Sequence, residues 1–175
     1  NTCTPVLATV RKGVFKLAFS ENAQKANMPL IPCREAKHIW TQTRVIEDAV
    51  FGTDLTGANI IVSGGLGMGS RENFKKLHTL ADMLGAAVGA SRAAVAAGYA
   101  GYAHQVGQTG VSVRPDIYIA FGISGAVQHL SGISGAKKIY AVNHDPKAPI
   151  HEYSDFSVIA DCTLVLDKLI EKAGS

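Results

Sequence analysis

The run Ile117-Tyr118-Ile119-Ala120-Phe121 passes directly into residues 122–132, Gly-Ile-Ser-Gly-Ala-Val-Gln-His-Leu-Ser-Gly, and this junction constrains the fold more than any other stretch. A β-branched and aromatic run of this kind predicts a buried parallel strand, and the glycine turn after it predicts a helix beginning near Ser124. The first N–H groups of such a helix have no internal partner and carry the positive end of its dipole. The turn is therefore a natural seat for a phosphate or pyrophosphate, with Gln128 and His129 following on the first turns. The same pattern also serves as a plain strand-to-helix connection, so its meaning depends on what surrounds it.

The pattern repeats. Asn59-Ile60-Ile61-Val62-Ser63 leads into the glycine-rich residues 64–69. A helix follows, with Ser70 as N-cap, Phe74, Leu77, Leu80, Ala81 and Leu84 at helical spacing, and Gly85 as its stop. Residues 86–90 read as a second strand and 91–97 as a short helix closed by Gly98. Residues 99–110 hold several glycines and no sustained period. Ile139-Tyr140-Ala141-Val142 is a further strand ending on Asn143-His144-Asp145-Pro146, where the proline stops the ladder. Residues 156–160 form the last strand, before a helix over 163–172 with Leu164, Leu166, Leu169 and Ile170 as its expected core face. Strand, turn and helix in repetition predict an α/β, doubly wound parallel sheet of Rossmann-like type. Ligands bind such sheets at the carboxyl ends of the strands, which puts Ser63, Ser91, Gly122, Asn143 and Asp161 on one expected rim. Residues 1–55 lack any such unit and are expected to be extended and partly β. The main domain is expected over 56–175, and the start on Asn1 leads to the expectation that the sequence is a piece of a longer gene product.

Composition removes several classes of function. Lys plus Arg exceed Asp plus Glu by 17 − 14 = 3 with no basic run, so no nucleic-acid partner is expected. The most apolar region, 83–103, is mostly Gly and Ala and carries Ser91 and Arg92, so no membrane span is expected. Cys3, Cys33 and Cys162 lie far apart without ligand spacing, which points to a reducing compartment and no metal site. Residues 64–69 do not match the phosphate-loop Gly-Lys-Ser pattern, and no Ser/His/Asp set or carboxylate pair assigns a catalytic residue.

A binding site is easier to assemble. Arg92 opens a helix in small, apolar surroundings, where a permanently charged guanidinium stabilises negative charge on a ring or phosphate; the alternative is a surface arginine. Val106-Gly107-Gln108-Thr109-Gly110 sets an amide and a hydroxyl between glycines, which lets backbone and side chain approach a flat ligand; the alternative is a simple turn. His129 sits one turn into the phosphate-facing helix, although most histidines are surface or core residues. Asn143 and Asp161 are candidates for ribose hydroxyls, with the N-cap of the last helix as the alternative for Asp161. These residues describe a dinucleotide binder, and the sheet alone leaves open an NAD- or AMP-binding regulatory module.

Five segments together carry a resemblance: Ser63-Gly64-Gly65, Val88-Gly89-Ala90-Ser91-Arg92-Ala93-Ala94-Val95, Gln105-Val106-Gly107-Gln108-Thr109-Gly110, residues 122–130, and Asn143-x-Asp145-Pro146. In this order they resemble the electron transfer flavoprotein alpha-subunit family from about Val62 to the end. The resemblance implies FAD as cofactor and a role as electron carrier, with no catalytic residue of its own. It implies that Arg92 lies over the isoalloxazine and favours its anionic semiquinone, with Ser91 beside it. It further implies that Thr109 is near flavin N5, that Val106, Gly107 and Gln108 surround the ring and ribityl chain, and that Ser124, Gly125, Ala126, Val127, Gln128 and His129 take the pyrophosphate and ribityl, His129 lying near O2. Asn143 and Asp161 correspond to adenosine-side contacts. A beta subunit completing a heterodimer and acyl-CoA dehydrogenase type donors are implied as partners, in a bacterial cytoplasm or alternatively a mitochondrial matrix. The alternative in the same resemblance is the flavin subunit of a fixed acyl-CoA reductase complex.

The sequence also departs from the family. Leu66 stands where an arginine often follows Ser-Gly-Gly, Ala96 replaces a usual acidic residue, and Gly101-Tyr102-Ala103-His104 replaces a common Pro-Asn-Asp segment. These changes resemble the nitrogen-fixation or carnitine-pathway branch of the family. Residues 8–15, Ala-Thr-Val-Arg-Lys-Gly-Val-Phe, resemble the tail of the family's first domain, so 1–55 is expected to be the remnant of that domain.

Overall fold

The computed structural model describes residues 54–174. The expected extended, partly β segment over 1–55 lies outside the described residues, apart from the last two positions. Among the described residues ten principal elements alternate: β1 (Ile60–Gly64), α1 (Arg71–Leu84), β2 (Ala87–Ala90), α2 (Arg92–Ala96), β3 (Ile117–Phe121), α3 (Val127–Ile133), β4 (Lys138–Asn143), α4 (Ile150–Tyr153), β5 (Phe156–Ile159) and α5 (Cys162–Ala173). All pairings are parallel, in the order β2-β1-β3-β4-β5. Strand order reverses between β1 and β3, so the connections leave to opposite faces there and open a crevice above the strand ends.

Side-chain alternation along the strands builds a core on each face. Val62, Val88, Phe121 and Val142 pack with Phe74, Leu77, Leu80 and Ala81 of α1 and with Cys162 and Leu166 of α5. On the opposite face Ile61, Ala87, Tyr118, Ala120 and Ala141 pack with Ile133 of α3 and Ile150 of α4. Over β1, β2 and β3 both faces are covered, so these strands read as continuous apolar runs, while the edge strand β5 leaves Phe156 and Ile159 exposed. The doubly wound expectation therefore holds over the described residues.

Local chemistry explains where the elements begin and end. The Ser70 side chain accepts from Asn73 N, and Gly85 stops α1 in the left-handed region at φ 61°. Several details differ from the sequence expectation. Helix α3 starts at Val127, with Ala126 as N-cap, three residues later than the expected start near Ser124. Gly125, at φ 85°, lies so close to Ile150 that any Cβ would overlap the Ile150 backbone nitrogen, and Ile150 N donates to Ser124 O at 3.0 Å. Residues 124–126 are thus held as a loop against α4, a short helix that the sequence reading missed. In α5 the buried stripe is Cys162 and Leu166, with Val165 and Ile170 beside it; Leu164 and Leu169 face outward, contrary to expectation. A helix lying on one neighbour buries only a stripe at i and i+4, so not every leucine can reach the core. Leu84 is likewise largely exposed at the end of α1.

Candidate functional site

A cleft of about 640 Å³ runs over the carboxyl ends of the strands, at the β1/β3 reversal. That volume lies within the range of about 300–1,000 Å³ usual for ligand clefts. Its floor depends on backbone approaching backbone. Gly65 N donates to Phe121 O at 2.8 Å, Gly67 N to Gly122 O at 3.0 Å and Gly122 N to Val142 O at 2.8 Å. Gly122 adopts φ 62°, and a Cβ there would lie 2.7 Å from the Gly67 carbonyl carbon. Only glycine permits this, and it brings three strand ends together beneath the ligand.

One end of the cleft is formed by α3 and the turn before it. Side chains cap α1, α2 and α5 at Ser70, Ser91 and Asp161, whereas the N-cap of α3 is Ala126, which has no acceptor. His129 N and Leu130 N both donate to Ala126 O, so the amides left without a partner among the described residues, and open to an anion, are those of Val127 and Gln128. Ser124, Ala126, Gln128 and His129 line the cleft. Gly125 and Val127 do not: Gly125 seats the turn on α4, and Val127 is 76% exposed on the outer side.

The opposite wall is built on Ser91 and Arg92 and on residues 106–109. Ser91 follows β2 and its Oγ accepts from Ala94 N at 3.2 Å, so it caps α2 and fixes the first-turn position of Arg92. No carboxylate among the described residues pairs with Arg92, which leaves its charge for a ligand. The 106–109 loop is clamped by Gln108 N to Gln128 O at 2.8 Å and Gly107 N to Val111 O at 3.1 Å. Gly107, at φ 141°, would bring a Cβ 2.9 Å from Gln128 O. The Thr109 side chain accepts from Gln105 Nε2 at 3.0 Å, and Thr109 lines the cleft.

His129 is buried. Its Nε2 lies 3.0 Å from the hydroxyl of Tyr118, which is fully buried in β3, and its Nδ1 is enclosed without a partner in hydrogen-bonding geometry. Burial pushes its pKa down to about 4, against a smaller opposing effect of the Val106 backbone, so the ring is neutral at pH 7. Within the chain its Nδ1 is enclosed, and the residue lines the cleft. Asn143 also lines the cleft, but both ends of its amide bind the protein: Nδ2 donates to Ile123 O at 2.8 Å and Oδ1 accepts from Asp145 N at 3.0 Å.

Two members of the expected rim are elsewhere. Ser63 is fully buried within β1. Asp161 is not among the residues lining the cleft; its carboxylate accepts from Thr163 N, Leu164 N and Thr163 Oγ1, and the Thr163 hydroxyl, followed by those amides, holds it below the usual carboxylate range. The capping alternative describes its position. The sequence reading missed Tyr118, whose polar tip within a buried run needs a partner, and Gln105, a buried amide beside the loop.

This donor set fits FAD. The uncapped end of α3 offers donors that would suit a diphosphate, Arg92, which no carboxylate among the described residues pairs, would suit a ring that gains negative charge, and the glycines with Ala93, Ala96 and Ala148 keep the cleft free of bulky side chains there. Leu66, where the family often has arginine, lines the cleft and adds no charge.

Residues 54–134 match the family model described as electron transfer flavoprotein FAD-binding domain. The chain is 42% identical over 168 residues to the electron transfer flavoprotein subunit alpha of Syntrophomonas wolfei subsp. wolfei, a match covering 96% of this chain and 53% of that protein. It is 41% identical over 172 residues to the same subunit of Bacillus subtilis strain 168, covering 98% of this chain and 53% of that one. With the mitochondrial subunit alpha of Oryza sativa subsp. indica it shares 54% identity over 119 residues, 68% of this chain and 33% of that one. The chain thus spans about half the length of these bacterial relatives.

Proposed function

The chain belongs to the electron transfer flavoprotein alpha-subunit family, and on that premise we propose that it is the FAD-holding part of an electron carrier, taking electrons from a flavoprotein dehydrogenase and passing them to a downstream acceptor. The observation that carries this reading is the convergence of the uncapped α3 terminus, unpaired Arg92 and the 106–109 loop on one cleft. Among the described residues that cleft holds no nucleophile–base pair. Bound FAD supplies reversible one- and two-electron chemistry.

Each group of residues has a separate task. The α3 amides hold the diphosphate through their unfilled donors and the helix dipole. Arg92 raises the affinity for electrons by offsetting the negative charge they bring, and it stays protonated throughout. Thr109 and the loop backbone orient the ring, and His129, neutral and apolar in effect, excludes water from one edge. Asn143 binds the turns after β3 and β4 together, so the floor keeps its shape.

Residues 56–175 are proposed as the FAD-binding domain and 1–55 as the remnant of a first domain. A beta subunit is the proposed partner, acyl-CoA dehydrogenase type enzymes are the proposed donors, and the bacterial cytoplasm is the proposed compartment, with the mitochondrial matrix as alternative. No helix among the described residues is long and apolar enough to cross a membrane. The test is to load the chain with FAD beside a co-expressed beta subunit, and to mix it with substrate-reduced acyl-CoA dehydrogenase and an acceptor dye. Flavin reduction followed by dye bleaching is expected. A flavin that stays oxidised with every such donor would reject the carrier role.

A further inference from the structure

Thr109 is held at two points. Its hydroxyl accepts from Gln105 Nε2 at 3.0 Å, and its carbonyl accepts from the Tyr102 hydroxyl at 2.7 Å. Gln105 is only 4% exposed and is itself tied down: Gln105 N donates to Tyr102 O at 2.9 Å, and Gln105 O accepts from Val111 N at 2.7 Å. Any side chain at Gly110 would overlap the Gln105 carbonyl and press on its Cγ, so glycine at 110 lets the amide lie beneath the loop. Tyr102 belongs to the segment where this sequence departs from the family's Pro-Asn-Asp, and its hydroxyl bond replaces nothing the sequence reading had assigned.

A threonine hydroxyl has one hydrogen to give and two lone pairs to receive with. Where one lone pair takes the Gln105 N–H, the hydroxyl hydrogen must point away from Gln105. No acceptor among the described residues takes that hydrogen, and Thr109 lines the cleft. We propose that Gln105 is a positioning residue that fixes Thr109 as a hydrogen-bond donor into the cleft, toward an acceptor atom of the flavin ring. This rests on the FAD reading of the cleft. The N–H that Gln105 donates also polarises the Thr109 O–H and strengthens what it gives to the ligand. Tyr102 steadies the Thr109 backbone from the solvent side.

The polarity of this contact can be reversed with little change of shape. In Gln105→Glu the side chain is an acceptor when ionised and draws the Thr109 hydrogen away from the ligand; when protonated it donates again. Full-length chain and variant are titrated with FAD at pH 8 and pH 5.5, alone and in the Thr109→Val background. At pH 8 the variant is expected to bind FAD about tenfold more weakly than the parent, the equivalent of one hydrogen bond, and because burial at this 4% exposed position raises a carboxyl well above its ordinary range, most of that ratio should be recovered at pH 5.5. In the Thr109→Val background the Gln105→Glu effect should shrink to a small residue, because the coupling runs through the hydroxyl. Gln105→Met, which removes the donor without adding charge, should lower the flavin midpoint potential and weaken FAD binding in the same non-additive way, and it serves if the glutamate variant does not fold. Effects of residues 105 and 109 that add independently, or a Gln105→Glu deficit with no pH recovery, would overturn the role of Gln105 while leaving FAD in the cleft. A parent chain that binds no FAD would instead overturn the reading of the cleft, and this proposal with it.

Discussion

Gly132 of α3 lies directly against Gly107: a Cβ at 132 would sit 2.5 Å from Gly107 Cα and 2.6 Å from its nitrogen. Val113 N adds a bond to Gly132 O at 2.8 Å, so the loop carrying Gln108 and Thr109 is seated on the helix whose N-terminus faces the same cleft. The α3 end and the 106–109 end of the cleft are therefore spaced by one glycine contact. Gly132→Ala should push the two apart. A loss of about 1–3 kcal/mol in stability is expected from overpacking backbone that cannot yield. FAD affinity should fall further than stability alone explains, measured by urea unfolding and FAD titration on the same preparation. Unchanged values in both would mean that the contact sets nothing.

Ala126 as an acceptor-free N-cap leads to an effect of opposite signs. Ala126→Asp supplies a carboxylate to the α3 amides and should stabilise the FAD-free chain by about 0.5–2 kcal/mol. The same carboxylate occupies the donors and repels a diphosphate, so FAD binding should weaken by about tenfold or more. Thermal unfolding without ligand and a binding isotherm with FAD measure the two halves. A variant that is more stable and binds FAD as before would remove α3 from the phosphate site.

Arg92→Ala removes from the cleft wall a charge that no carboxylate among the described residues pairs. Its cost to folding should be within about 0.5 kcal/mol, as for an exposed side chain. Stepwise reduction of the FAD-loaded variant should give less of the one-electron-reduced anionic flavin and a lower midpoint potential, with Arg92→Lys intermediate because it keeps the charge without the planar fork. An identical reduction course in all three proteins would return Arg92 to the surface-arginine alternative.

His129 links the site to pH. Its pKa is about 4 in the folded chain against 6.5 ordinarily, so between these values the unfolded chain binds a proton that the folded chain does not. Its stabilising contribution is full above pH 6.5 and is lost as pH falls through the window toward 4, by about 3 kcal/mol at most. His78, lowered first by burial and then by His104, acts in the same direction. His129→Gln, which keeps a partner for Tyr118, should flatten the His129 part of the slope when urea midpoints are compared from pH 4 to 7. A slope equal to that of the parent would show that His129 titrates freely in the fold.

The strand-and-turn pattern made the parallel sheet legible because period and glycine punctuation are local properties. Gly85 and Ser70 are read correctly for the same reason: caps are decided within four residues. What eluded the sequence depends on tertiary contact. The delayed start of α3 follows from Gly125 meeting Ile150, 25 positions away, and α4 itself is a single turn without a period. Leu164 and Leu169 look like core until the stripe that α5 lays against its neighbours is known. The site shows the same division. Arg92, residues 106–109 and Ser124 to His129 come from glycine-bounded strand ends, and most of them meet in the cleft. Asp161 sits at an equivalent strand end but caps its own helix, because Thr163 and Leu164 offer nearer donors. Gln105 and Tyr118 stand inside quoted stretches, the 105–110 segment and the strand before Gly122, but only their burial and hydrogen bonds in the fold give them a place at the site.

FAD is proposed to sit in the cleft between the α3 terminus and the 106–109 loop. The full chain is incubated with excess FAD, free ligand is removed by gel filtration, and flavin absorbance is read against protein, with Ala126→Asp run in parallel. About one flavin should stay with each parent chain and clearly less with the variant. A folded parent chain that elutes without flavin, or equal retention by the two proteins, would rule out this placement.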